Sequence, residues 1–296
     1  MQFVVNHGHK IAYYQYGDKA SPAALLIMGM GLPGLCWPPI LVQKLIEEGF
    51  QVIIPDNRDA GQSMHLTDEH VDQGDVVNGI LNAIIGRQVS QAKYRLEDMA
   101  VDMVHLLDEL QITRAHVVGF SMGGMIAQVI ASNYPERVST LVSISSATGH
   151  VRTGLGKLMT IWSLIREPKA QEPFENYVRS VVTGLAGPAY QPAQEEIQYM
   201  YQQMEQQRFD REALYRQLWG ILASGDRSPS LAKITAPALV IHGKNDPLLP
   251  FAAGEETAAL IPEAELWAID GLGHQLPMKL MSQYGQRIAL HCHKRM

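Results

Sequence analysis

The sequence predicts an α/β protein, with a mostly parallel central sheet, helices on both faces and a helical cap inserted between two strands. Short apolar segments such as AALLIM (residues 23–28) have the composition of strands buried on both faces. They alternate with amphipathic segments, of which residues 94–110 are the clearest, and this alternation favours a parallel sheet covered by helices. Over residues 148–231 the strand signal is lost, and the short returns on both sides favour an inserted cap over the alternative of a separate domain.

The first half of the chain begins with a predicted hairpin. Residues 2–16 favour it because FVV and IAYYQY flank the turn-prone segment NHGHK. Gly49 stops the first predicted helix, and Pro135 ends a later one at the residue before it. The elements predicted after the hairpin are strands at 23–28, 50–55, 116–120 and 138–144, and helices at 37–48, 94–110 and 122–134.

The second half returns to alternation after the helical block. Its predicted elements are helices near 156–166, 173–185, 193–207 and 211–223, then a strand at 238–242, a helix at 251–260, a strand at 265–269 and a terminal helix from about 278. We therefore divide the chain into a first core part at 1–147, a cap at 148–231 and a second core part at 232–296. The apolar stretch VVNGILNAIIG, within residues 67–92, predicts either a lid helix or a helix packed on the surface.

The composition is that of an ordinary globular protein. Of 296 residues, 46% are hydrophobic and 18% are charged. The net charge of −6 offers no basic surface for nucleic acid or an anionic membrane, and no apolar run approaches the roughly 20 residues of a membrane helix. The segment MQFVVNHGHK does not resemble a signal peptide, and Cys36 and Cys292 are expected as unpaired thiols. We expect a cytoplasmic protein that acts on a small molecule.

Ser121 is the strongest catalytic candidate. It is the centre of Gly119-Phe120-Ser121-Met122-Gly123, directly after the strand HVVGF and directly before a helix. A sharp strand-to-helix turn strains the central residue, and side chains two positions away on either side would collide, which glycine avoids. The N-terminus of the following helix directs amides and a positive dipole end at the serine oxygen. This pattern is typical of a nucleophilic serine.

A nucleophilic serine needs a base and an acid that orients the base. His274 follows the strand ELWAID and the loop GLG, beyond the carboxyl end of a strand, where open α/β sheets place their sites. Asp246 follows the strand ALVIH and completes the chain order serine, aspartate, histidine. A turn-capping role is the alternative for Asp246, and Asp270 is disfavoured as the acid because it is too close to His274 in sequence. Ser121, Asp246 and His274 form the predicted catalytic triad.

The other histidines predict no cofactor site. His105 lies within a predicted helix and His116 begins a predicted strand, so structural roles are favoured. His291 and His293 flank Cys292, which is a weak pattern for a metal site. We expect no metal, nucleotide or organic cofactor.

Five segments carry a resemblance to a known family: LLIMGMGLPGLCWP, IIPDNRDAGQS, HVVGFSMGGMIAQVIA, PALVIHGKNDPLLP and GLGHQLP. Through them the chain resembles the α/β-hydrolase superfamily, in particular the branch containing aclacinomycin methylesterase and related carboxylesterases. The resemblance covers the catalytic core and is weak over 67–92 and the predicted cap. It implies the α/β-hydrolase fold and hydrolysis of ester bonds. It also implies that Arg58, in DNRDAGQS, orders the core, with a role of this loop in binding as the alternative. Ser121 excludes dehalogenases and epoxide hydrolases, which have an aspartate at this position. Some members take the acid from the loop read here as SISSATG, whose lack of a carboxylate favours Asp246.

The resemblance further implies an oxyanion hole made of backbone N–H groups. One donor is the amide of Met122, the residue after the nucleophile. Most relatives have His-Gly after the strand at 23–28, and the next residue donates the second amide. Here Met28 takes the place of that histidine, so the donor maps to Met30, with Gly29 or Gly31 as alternatives.

The leading functional hypothesis is a serine hydrolase that cleaves carboxylic esters through an acyl-enzyme. Methionines on or beside the site loops predict an apolar acyl or alcohol pocket, because methionine adapts to irregular apolar shapes. Perhydrolysis, C–C bond hydrolysis and lactone opening use the same triad, and a receptor with low turnover would retain it. The candidate substrate-binding residues are Gly29, Trp37, Trp162, Trp219 and Met278.

Overall fold

A computed structural model describes residues 1–87, 89, 92–167, 171–207 and 209–295. Parts of three predictions lie outside these residues: positions 88, 90 and 91 of the 67–92 segment, 168–170 and 208 of the cap, and 296 of the last core part. The described strands form one eight-stranded sheet in the order β1-β2-β4-β3-β5-β6-β7-β8. The strands are β1 (Gln2–Asn6), β2 (His9–Tyr16), β3 (Ala23–Ile27), β4 (Gln51–Pro55), β5 (Ala115–Phe120), β6 (Val138–Ile144), β7 (Ala238–Gly243) and β8 (Glu265–Ile269).

The sheet is mostly parallel, as the sequence predicts. β1 pairs antiparallel with β2, and β2 pairs antiparallel with β4, so the predicted hairpin forms one edge. All later neighbours, from β4 through β8, pair in parallel. Because parallel strands end at the same edge, the loops after β3, β5 and β7 come together there.

Helices cover both faces of the sheet. Those outside the insert are α1 (Pro39–Glu47), α2 (Gln73–Ile84), α3 (Leu96–Glu109), α4 (Met122–Asn133), α11 (Phe251–Leu260) and α12 (Met281–Cys292). In β3, Leu25 and Ile27 face the core that contains α3 and α4, whereas Ala24 and Leu26 face the core beneath α1 and α12. This alternation follows from the two-residue period of a strand, and it explains why β3 is apolar throughout.

Within the described residues, the inserted block between β6 and β7 consists of helices joined by loops, without a strand. It contains α5 (Val151–Gly154), α6 (Leu158–Ile165), α7 (Phe174–Leu185), α8 (Gln194–Gln206), α9 (Arg211–Ser224) and α10 (Ser228–Leu231). The apolar stretch within 67–92 forms α2, which packs against α9 of the insert. Gly79 of α2 lies directly against the ring of Trp219, where a side chain would have no room. Within the described residues, no helix combines the length and apolarity that crossing a membrane requires.

Arg58 has the structural placement that the sequence predicts. Its guanidinium binds Asp102 of α3 through two nitrogens, Nε at 2.7 Å and the terminal nitrogen at 2.8 Å. Asn6 of β1 donates a further hydrogen bond to the same carboxylate. Arg58 and Asp102 are both buried, so this pair ties the loop after β4 to α3.

Cys36 and Cys292 are both buried free thiols, as expected.

We expect Arg58→Met to lower the free energy of unfolding by about 3–5 kcal/mol, because Asp102 would remain as a buried charge without its partner. The double variant Arg58→Met/Asp102→Leu should regain most of this loss, since it removes both charges. Urea unfolding measures both values. The exposed Arg152, replaced by Met, is the matched control and should change the free energy by less than about 0.5 kcal/mol. Equal effects of Arg58→Met and Arg152→Met would contradict a structural role for the buried pair.

Candidate active site

Ser121 lies on the sharp turn that the sequence predicts. It follows β5 and precedes α4. Its backbone angles are φ 55° and ψ −120°, a conformation that residues other than glycine rarely adopt. A Cβ at Gly119 would overlap the carbonyl of Gly123, and a Cβ at Gly123 would overlap the carbonyl of Ile27. Ser146, after β6, donates to the Ser121 carbonyl at 2.9 Å and supports the turn. The two glycines are therefore required for the close approach of α4 to the strand ends.

The structure brings the three predicted triad residues together. His274 Nε2 lies 2.9 Å from Ser121 Oγ, and His274 Nδ1 lies 2.7 Å from Asp246 Oδ2. A carboxylate only accepts hydrogen bonds, so Nδ1 carries the proton and Nε2 is left to accept from the serine hydroxyl. The backbone N–H of His274 donates to the carbonyl of Leu185, at the end of α7, at 2.8 Å. The histidine loop is thus attached to the helical insert.

Asp246 is held by its own turn and backed by a histidine that the sequence analysis did not single out. Its Oδ1 accepts from the amides of Leu248 and Leu249, which leaves Oδ2 for His274. Behind it, His242 Nε2 lies 3.6 Å from Asp246 Oδ2 and donates to the Leu249 carbonyl at 2.8 Å. Burial lowers the pKa of His242, so this ring lies neutral against the carboxylate. The position of His242 at the end of β7 was the available signal.

Asp270, the disfavoured alternative acid, lies elsewhere. Its carboxylate is largely exposed and forms an ion pair with Lys244 at 2.9 Å. A solvated surface carboxylate has no geometry for orienting the base. Asp246 is buried and hydrogen-bonded to His274, so its placement favours Asp246 as the acid of the triad.

The loop after β3 lies against the nucleophile. A Cβ at Gly29 would lie 3.2 Å from Ser121 Cβ, which shows how closely this backbone approaches. The Gly31 amide donates to Gln217 of α9 at 2.7 Å and is therefore occupied. Met30 has no such acceptor for its amide among the described residues, and Met122 is the first residue of α4, where N–H groups lack partners within the helix.

Gln217 is a second residue that the sequence analysis missed. It is fully buried on α9, accepts from the Gly31 amide and donates to the Arg58 carbonyl at 2.7 Å. It therefore fixes the loop after β3 to the loop after β4. A polar residue on the inward face of a helix was the only sequence signal.

Two apolar cavities meet at Ser121, and both are also lined by Met30, Leu164 and Leu248. The first, which we call the His274-side cavity, has a volume of about 160 Å³. Its wall includes His274, Gly29, Met278, Tyr177, Val181 and Met200. The second, the Met122-side cavity, has a volume of about 490 Å³. Its wall includes Met122, Met125, Ile80, His150, Leu218 and Ile221.

Of the five predicted substrate-binding residues, Gly29 and Met278 line the His274-side cavity, whereas the three tryptophans line neither cavity. Trp37 is buried in the core beneath α1, with 1% of its surface exposed. Trp162 is 47% exposed on α6, turned away from both cavity walls. Trp219 packs on Gly79 of α2 and is likewise outside both walls. The prediction that these three bind substrate is corrected accordingly. Trp37 packs into the core, and the helical spacing of Trp162 and Trp219 does not tell which side of their helices faces a cavity.

No group of three or more His, Cys, Asp or Glu side chains within the described ranges is arranged to hold a metal ion. In the predicted weak metal pattern, His291 Nε2 lies 3.1 Å from the carbonyl of Pro237, which engages that ring in the core.

The family model described as the alpha/beta hydrolase fold matches residues 24–279, which is most of the chain. The chain belongs to the α/β-hydrolase family. This α/β-hydrolase is 25% identical to rhodomycin D methylesterase DnrP of Streptomyces peucetius over 302 aligned positions, covering 93% of this chain and 92% of that protein. This relative agrees with the methylesterase-like branch named from the sequence motifs.

Solved structures share the fold of this α/β-hydrolase. The enol-lactonase of Burkholderia xenovorans LB400 superposes with a TM-score of 0.74 at 19% identity, covering 99% of this chain and 100% of that one. The meta-cleavage product hydrolase CumD of Pseudomonas fluorescens IP01 gives a TM-score of 0.76 at 18% identity, with 99% and 98% coverage. At these identities the likeness is one of fold.

Proposed function

We propose that this α/β-hydrolase cleaves carboxylic esters of small molecules through an acyl-enzyme on Ser121. The observation that carries the proposal is the continuous hydrogen-bonded chain Ser121–His274–Asp246, which lies where two apolar cavities meet. The methylesterase relative supports ester bonds as the target.

The proposed reaction transfers the acyl group to Ser121 and then to water. Ser121 Oγ attacks the ester carbonyl while its proton passes to His274 Nε2, and the imidazolium is stabilised by Asp246. The amides of Met30 and Met122 stabilise the oxyanion. His274 then returns the proton to the alcohol oxygen as the C–O bond breaks, leaving the acyl-enzyme. Water, deprotonated by His274, attacks the acyl carbonyl, and the acid leaves as Ser121 regains its proton.

A panel of p-nitrophenyl esters from acetate to palmitate, assayed beside a lactone and a β-diketone, tests this proposal. We expect kcat/KM for the best ester to exceed the values for the lactone and the β-diketone. Faster opening of the lactone, or faster cleavage of the diketone carbon–carbon bond, would assign the triad to one of those reactions instead. Tight binding of the esters without turnover would indicate a receptor.

We further propose that residues 148–231 act as a cap that sets which substrates enter. Helices of this block supply Val181 to the His274-side cavity and Leu218 to the Met122-side cavity, while the triad lies outside the block. Each cavity wall is therefore partly cap and partly core. A cap of this kind selects substrates mainly by what it excludes, since one methylene is worth about 1–3 kcal/mol.

We expect Val181→Trp and Leu218→Trp, each of which narrows one cavity, to differ in their effect on chain length. Whichever cavity holds the acyl chain, the variant that narrows it should move the acyl-chain optimum to shorter esters, while acetate turnover stays within about tenfold of wild type. The measurement is kcat/KM across the p-nitrophenyl series. Trp162→Ala, on the exposed side of the same block, is the control and should keep the wild-type profile. Equal losses on every ester in both variants would make the block a scaffold.

A further inference from the structure

The two cavities stand in different relations to the reacting groups. Both reach Ser121, but His274 lines only the smaller cavity and Met122 lines only the larger one. The base therefore faces one cavity, and an amide donor of the oxyanion hole belongs to the other. If the protein hydrolyses esters as proposed, this asymmetry gives each cavity a separate part of the substrate.

The reaction geometry decides which part each cavity receives. In the tetrahedral intermediate, the central carbon carries Ser121 Oγ, the oxyanion, the alcohol oxygen and the acyl substituent. His274 Nε2 protonates the alcohol oxygen, so that oxygen lies within hydrogen-bond reach of His274. The alcohol part consequently extends along the His274-side cavity of about 160 Å³. The acyl substituent points away from the base, into the Met122-side cavity of about 490 Å³.

One fixed polar side chain interrupts the apolar wall of the larger cavity. His150 lines it, and His150 Nδ1 lies 3.0 Å from Glu256 Oε1 of α11. The other oxygen of Glu256 accepts from Thr148 at 2.8 Å and from Thr153 at 2.6 Å. Three donors thus hold one carboxylate, and the carboxylate in turn fixes the His150 ring.

The two charged residues on the same wall offer weaker recognition. Arg87 is exposed, and Asp226 is exposed with its carboxylate accepting from the amide and the hydroxyl of Ser228. Exposed charges are screened by water and salt, so their contribution to recognition is small. His150 is half-buried and oriented, which makes it the better placed polar group.

The tautomer of His150 follows from its partner. A carboxylate only accepts, so Nδ1 donates to Glu256, and in the neutral ring Nε2 is a hydrogen-bond acceptor. Nε2 has no partner among the described residues. We propose that the Met122-side cavity binds the acyl part of the substrate, and that His150 is a specificity-determining residue there, accepting a hydrogen bond from a hydroxyl or N–H group on an otherwise apolar acyl chain.

The test compares methyl decanoate with its 6- to 10-hydroxy derivatives, and decyl acetate with the corresponding hydroxylated decyl acetates. For wild type we expect at least one hydroxylated methyl ester to exceed methyl decanoate in kcat/KM by about three- to tenfold, the effect of one net hydrogen bond. His150→Leu should reduce this ratio to about one. His150→Gln should keep part of it, because its amide oxygen is an acceptor at a similar reach. His105→Leu, on α3 outside both cavity walls, is the control and should keep the wild-type ratio.

Several outcomes would overturn the inference. A His150→Leu variant that loses activity on hydroxylated and plain methyl esters in the same proportion would make His150 a structural group. A hydroxyl preference confined to the decyl acetates would reverse the assignment of the cavities, as would a chain-length shift caused by Val181→Trp and not by Leu218→Trp. Absence of turnover on every ester would refute the proposed function itself, and the inference with it. Binding of decanoic and hydroxydecanoic acids to the Ser121→Ala variant distinguishes failure of the His150 contact from failure of the proposed hydrolysis. The preference for the hydroxy acid should persist in this variant, because binding does not require turnover.

Discussion

Replacing Ser121 with alanine should reduce ester hydrolysis by at least about 1,000-fold while leaving a folded protein. The nucleophile is lost, whereas both cavities, the proposed oxyanion amides of Met30 and Met122, and the His274–Asp246 pair are retained, so residual catalysis comes from these groups alone. Alanine adopts the φ 55° conformation of Ser121 at about the same cost as serine, and no buried polar partner is stranded apart from His274 Nε2.

Single-turnover and steady-state assays on a short p-nitrophenyl ester measure this loss, with thermal unfolding as the check on folding. Ser132→Ala is a matched control, because this serine lies near the far end of α4, donates to the carbonyl of Val129 and lines neither cavity. It should retain most of the activity. Turnover in Ser121→Ala within tenfold of wild type would show that another group carries the reaction.

The acid of the triad should give the second largest effect. Asp246→Asn is expected to lower kcat by roughly 1,000- to 10,000-fold, because the amide favours the wrong tautomer of His274 and does not stabilise the imidazolium. The loss should appear in kcat with little change in KM, since Asp246 lies behind the base and lines neither cavity.

Asp270→Asn is the comparison that separates the two candidate acids. Asp270 is exposed and pairs only with Lys244, so its replacement should change kcat by less than about threefold. Steady-state kinetics of the two variants on the same ester give the ranking. A larger effect at Asp270 than at Asp246 would leave Asp246 as a turn residue and the triad without its proposed acid.

The fold was predictable because its signals are local. β3 and β4 are continuously apolar, the helices that cover them have regular apolar spacing, and Pro and Gly mark their ends. The elbow was predictable for a stronger reason: the overlap of a side chain at Gly119 with Gly123 leaves few other sequences for such a turn. Loop positions at the carboxyl ends of strands then identified His274 and Asp246 as its partners.

The residues that the sequence did not reveal depend on contacts between distant segments. Gln217 fixes the loop after β3 from a helix almost 190 positions later, and nothing in its own helix marks that contact. The prediction that Trp219 binds substrate failed for the same reason, since the face of α9 that carries Trp219 is decided by its packing on α2. The division of the site into two cavities also arises only when the insert lies over the strand ends.

The central claim, that Ser121 is the nucleophile, is tested most directly by labelling the intact protein with a fluorophosphonate and locating the adduct by peptide mass spectrometry. Activation of Ser121 by His274 predicts a single phosphonylated residue, Ser121, with modification and loss of esterase activity proceeding in parallel. The Asp246→Asn variant should label far more slowly, and Ser121→Ala should not label. An adduct on another serine, or full esterase activity after complete modification of Ser121, would contradict the account.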